Sequence, residues 1–119
     1  IYIMDADGGN VRRLTYEGNY NTSPAWSPRG NKIAYEGSVN GRFQIFTIDA
    51  EGGSPQQLTS GGSSHESASW SPDGRYLACS ASGYGRSRIE IMSANGQNVR
   101  VLHEGNEGCQ SPFWWPRLR

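Results

Sequence analysis

The stretch WSPDGR at residues 70–75 has a near copy, WSPRGN, at residues 26–31, and the same 44-residue offset leads on to Trp114. That offset also relates Leu14, Leu58 and Leu102, then Ile1, Ile45 and Ile89, then Gly8, Gly52 and Gly96, with no insertion or deletion. The chain is therefore an ungapped repeat. A period of about 40–45 residues is the length of one four-stranded propeller blade.

Each unit reads as four short strands. In residues 67–103, SASWS alternates small and large side chains, SPDG turns, RYLACSAS is an apolar run of strand formers, and RIEIMS and VRVLH flank ANGQN as two further strands. Pro72 presets φ for the second position of a type I turn, and Gly74 accepts the positive φ that closes the hairpin. Asp7-Gly8-Gly9 and Glu51-Gly52-Gly53 make the turn between the third and fourth strands. No window shows a helical period, and proline or glycine interrupts every window long enough for a helix. The expected fold is all-β, a β-propeller with blades of four antiparallel strands. Its expected segments are residues 1–22 (third and fourth strands of one blade), 23–66 and 67–110 (full blades), and 111–119 (a closing inner strand).

Strands such as QIFTI and RIEIM carry apolar residues on both faces, which suits a sheet sandwiched between two neighbours. The tryptophan repeated in each first strand reads as a wedge between blades, so Trp26, Trp70 and Trp114 are expected in equivalent positions.

The composition agrees with turn-rich β material: 34% hydrophobic residues, 16 glycines, and 11 acidic against 11 basic side chains. Zero net charge gives no electrostatic reason to expect nucleic acid or an anionic membrane as partner. No apolar run approaches the roughly 20 residues needed to span a bilayer. Cys79 falls in a strand and Cys109 in a loop slot, so the pair does not make a disulfide framework.

Motifs with enzymatic or cofactor chemistry fail on spacing. DADGG from Asp5 has its glycine fourth and Tyr16 twelfth, where a calcium loop needs glycine sixth and glutamate twelfth. GYGRSR from Gly83 lacks the third glycine of a dinucleotide fingerprint. Ser64, His65 and Glu66 are adjacent in sequence, whereas a catalytic triad converges from separate segments, and no G-x-S-x-G elbow is present. His65 and His103 occupy different strand positions and do not suggest a metal site. No catalytic residue, cofactor or metal is expected.

What remains is position. The connections TYEGNYNTSP, TSGGSSHESA and HEGNEGCQSP lead into the innermost strands, so their last residues should ring one mouth of the central channel. Loops on a rigid scaffold are common binding sites. Asn21, Thr22, His65, Glu66 and Gln110 are the candidate partner-binding residues, with an ordinary solvated rim as the alternative. Exposed apolar blade faces need covering, either by the remainder of a propeller or by a second copy of the chain.

The quoted repeats, together with IYIMDADGGNVRRLT, QIFTIDAEGGSPQQLT and the ending SPFWWPRLR, resemble the TolB family of propeller proteins. That resemblance spans the whole chain. It implies a six-bladed propeller of which this chain is the last three blades, short of one second strand. It also implies a periplasmic location, a non-enzymatic role in the Tol–Pal envelope system, and partners among Pal-like lipoproteins and colicins. Leu118 occupies the slot of turn glycines Gly30 and Gly74, a departure that suits a chain ending near Arg119 with no hairpin to make. Similar blades also cap prolyl-oligopeptidase-type peptidases, so an enzyme accessory domain is the competing class. An isolated or engineered propeller fragment would carry the same sequence.

Overall fold

In the computed structural model, which describes residues 1–115, ten strands form three antiparallel sheets. β1 (Tyr2–Ile3) pairs with β2 (Arg12–Arg13) as the outer half of one blade. β3 (Asn21–Trp26), β4 (Lys32–Val39), β5 (Arg42–Asp49) and β6 (Gln56–Gln57) make the first full blade in sequence order. β7 (Ser64–Trp70), β8 (Tyr76–Gly83), β9 (Arg86–Ser93) and β10 (Arg100–Gly105) make the second. This is the expected all-β arrangement of propeller blades.

The turns form as their residues require. Gly30 and Gly74 close the hairpins after β3 and β7 at φ 74° and 73°, each donating its N–H to the serine three residues earlier. Asn40-Gly41 and Tyr84-Gly85 are left-handed pairs, the two-residue turn whose twist matches the strands it joins.

Two apolar clusters hold the layers together. Ile1, Ile3 and Leu14 of the half-blade pack on Ile33, Tyr35, Phe46 and Ile48. Ala34 and Ile45 of the first full blade meet Trp70, Leu77, Cys79 and Met92 of the second. β4 and β8 are buried along most of their length, because each lies mid-sheet with neighbours on its faces. Burial pushes the Cys79 thiol up to about 12, so it is a packing group with no thiolate chemistry at neutral pH.

The tryptophans form a latch. Trp70 Nε1 donates to the carbonyl of Ala25 at 2.9 Å, and Trp114 Nε1 donates to Ser69 at 2.8 Å, each reaching 45 residues back to the preceding inner strand. Trp26 differs from the expected equivalence. It is 53% exposed, because the slot 45 residues before it precedes Ile1.

A second difference concerns where the inner strands begin. The alternation in SASWS placed the start near Ser67, and the preceding residues in loops. β3 and β7 instead begin at Asn21 and Ser64 and carry a bulge between Thr22 and Ala25 and between Glu66 and Ser69. Ser23 and Ser67 sit inside these bulges at φ 54° and 57°, and Ser111 repeats the conformation at 55°. The extra residue breaks the period-2 pattern, which hides the first half of the strand. The inference drawn from Leu118 lies outside the described residues.

Candidate binding site at the channel mouth

The five candidate residues share one end of the inner strands but not one environment. Asn21 and His65 occupy the same slot on β3 and β7, and Thr22 and Glu66 the next, just before the bulges. Thr22, Asn21 and Glu66 are half-buried, and Gln110 is exposed just before Ser111. Asn21 Nδ2 donates to the carbonyl of Glu17 at 3.0 Å, which ties the rim loop down. Because of the bulge these residues, Gln110 excepted, stand on strands, a stiffer platform than the loops expected.

His65 is not at the rim. It is only 5% exposed and lies in the wall between the two full blades. Gln44 Nε2 donates to the carbonyl of Ser63 at 3.0 Å, which turns Oε1 toward the Thr59 hydroxyl at 2.7 Å and His65 Nδ1 at 2.8 Å. Since Oε1 can only accept, Nδ1 carries the proton. On the other side of the ring, Nε2 faces Glu90 Oε1 at 3.3 Å, and because a carboxylate only accepts, this contact is a hydrogen bond when the ring carries its second proton, as an imidazolium; Arg88 Nε donates to Glu90 Oε2 at 2.9 Å. Thr59 Oγ1 also accepts the N–H of Ile45 at 2.8 Å. Thr59, His65, Arg88 and Glu90 border a polar cavity of about 360 Å³.

The hydrogen bond from His65 holds the Glu90 carboxyl below its usual range, with burial opposing and the bond from Arg88 adding to the effect. A carboxyl that ionises more readily folded than unfolded stabilises the fold above its ordinary value of 4.5 and loses that contribution as pH falls through the folded value. The stability difference between the protein and its Glu90→Gln variant, followed by denaturant titration, should therefore shrink on acidification below about 4.5. A difference that grew on acidification would contradict the ion-pair geometry.

The same end of the sheets carries aromatic groups that the repeat did not single out. Tyr20 is 58% exposed and meets Phe43 edge-to-face at 5.4 Å, and Tyr84, on the turn after β8, is 85% exposed. The available signal was a tyrosine in segments otherwise built from glycine, asparagine and serine. Tyrosine is enriched where partners bind. At the opposite end of the inner strands, Ala25, Trp26, Pro28, Trp70, Pro72 and Phe113 line an open apolar groove of about 560 Å³. Among the described residues no group of histidine, cysteine, aspartate and glutamate side chains could hold a metal ion, and no helix is long and apolar enough to cross a membrane.

The sequence matches the family profile of the TolB beta propeller domain over residues 1–118. A TolB-designated protein of Agrobacterium tumefaciens superposes with a TM-score of 0.78 at 27% identity, covering 87% of this chain and 40% of that one. TolB from Acinetobacter baumannii gives 0.73 at 30% identity, covering 86% of this chain and 26% of that one. The chain thus spans well under half the length of either. Puromycin hydrolase superposes with 0.66 at 21% identity over 82% of this chain and 16% of its own, a likeness of fold alone. No curated protein matches the chain.

Proposed function

The chain belongs to the TolB beta-propeller family, and from that premise we propose that it is a non-enzymatic protein-binding module of the periplasmic Tol–Pal system. In this reading it engages the lipoprotein Pal through the channel mouth and supports outer-membrane integrity, with colicins as further partners. The observation that carries it is that Thr22 and Glu66, both half-buried, fill one slot of adjacent inner strands, at the same end of the sheets as exposed Tyr20 and Tyr84. A carboxylate held on a strand suits the backbone N–H groups or basic side chains of an inserted loop or helix start. Central, desolvated contacts of this kind dominate binding energy.

The test is calorimetry with the soluble domain of Pal. Glu66→Lys should weaken binding by about 1.5–3 kcal/mol, the scale of a lost charged hydrogen bond. Glu51→Lys, an exposed reversal in the turn at the opposite end of the blade, should do little. Damage from Glu51→Lys together with silence from Glu66→Lys would move the binding face to the other side.

A second reading, an accessory propeller of a serine peptidase, is supported by the fold shared with puromycin hydrolase and the tricorn protease. The gene beyond residue 119 separates the two. A stop codon supports the binding module, and several hundred further residues with a nucleophile elbow support the peptidase.

A further inference from the structure

One peptide bond at the mouth is held from two blades at once. The bulge in β7 takes Ser67 out of register with β8 and leaves the Glu66–Ser67 peptide to find other partners. Its carbonyl accepts from Ser80 Oγ at 3.1 Å, and its N–H donates to Glu36 Oε2 at 2.9 Å. Ser80 stands on β8 of the same blade, whereas Glu36 stands on β4 of the blade before. The two are 44 residues apart and therefore fill the same slot of the repeat.

The chemistry of that slot sets the direction in which each side chain works. A hydroxyl can donate to a carbonyl, so Ser80 closes on its own inner strand. A carboxylate can only accept, so it cannot serve the carbonyl of Thr22, which pairs with it, and Glu36 reaches across to the next blade. Ser67 needs this support, because a non-glycine residue at φ 57° persists only where its surroundings fix it. Glu36 and Ser80 are each 7% exposed, so neither is available to a partner.

We infer that Glu36 is a positioning residue for the binding carboxylate: with Ser80 it locks the Glu66–Ser67 peptide plane and so fixes the direction in which Glu66 is presented. The inference rests on the proposed binding function for its consequence, but not for its geometry. Amide exchange at Ser67 reads the lock, and affinity for the soluble domain of Pal reads the consequence, both in the full-length protein.

Glu36→Ala should speed exchange at Ser67 by about tenfold or more and weaken Pal binding by roughly ten- to a hundredfold, the effect of losing one charge-assisted hydrogen bond. Glu36→Gln keeps an accepting oxygen in place and should restore most of both, which a role through charge alone would not allow. Ser80→Ala removes the other half of the lock and should move both readouts in the same direction without touching the Glu36 interaction. Unchanged exchange in Glu36→Ala overturns the lock whatever binds. Faster exchange with unchanged affinity overturns the positioning role. If the unmodified protein ignores Pal, the binding function fails and the positioning role fails with it, while the exchange data still decide on the lock.

Discussion

Trp70→Ala should destabilise the protein by about 3–5 kcal/mol, the range for removing a large aromatic side chain from a packed interior. Trp70 is 9% exposed, packs with Ile45, Leu77 and Met92, and donates its indole N–H to Ala25 across the blade boundary. Its loss therefore removes apolar contact and also leaves a carbonyl of the neighbouring inner strand without its donor. Trp70→Phe separates the two effects: most of the packing survives, and only the hydrogen bond, about 1 kcal/mol, is lost. Blades contact only their neighbours, so damage at one boundary is felt as loss of coupling between sheets. Urea denaturation followed by tryptophan-independent far-UV signal is the appropriate measurement. A cost below about 1 kcal/mol for the alanine variant would mean that the indole is not what joins the blades.

Glu90→Ala should cost about 3–5 kcal/mol as well, for an electrostatic reason. Glu90 is 7% exposed and accepts from both His65 and Arg88, so the truncation leaves two donors facing a void inside the wall. Breaking a buried pair from one side is more damaging than never having had it. The double variant Glu90→Leu with His65→Leu should recover part of the loss, because it removes the buried His65 together with the acceptor and fills the space, while the less buried Arg88 can turn to water. Denaturation midpoints of the single and double variants check this. A double variant as unstable as Glu90→Ala would show that the network matters for its shape, independently of its charge.

The architecture was legible from one dimension because a propeller is nearly one-dimensional. Trp26 and Trp70 fixed the period, Gly30 and Gly74 fixed the turns, and alternating apolar residues fixed the strands between them. The wall was not legible, since it is made where slots of different blades meet. Gln44 and His65 touch, yet no periodicity relates them. What could have pointed there is departure from the repeat: Glu90 stands where other units have Phe46 and Tyr2, and His65 where they have Asn21 and Cys109. Such exceptions mark a boundary that differs from its siblings. The inner strands were read as starting late for a local reason, because a serine at positive φ resets the alternation that identifies a strand.

The indole latch has a direction, and direction matters for a chain made from one end. Trp70 reaches back to Ala25, and Trp114 reaches back to Ser69. In each case the acceptor is synthesised before the donor. A growing chain that folds unit by unit thus presents a finished carbonyl to Trp70 and to Trp114 as each emerges, so the latch itself waits for no later blade to supply its acceptor. The order of translation and the order of assembly coincide, so each newly made apolar face is covered by the next unit to leave the ribosome.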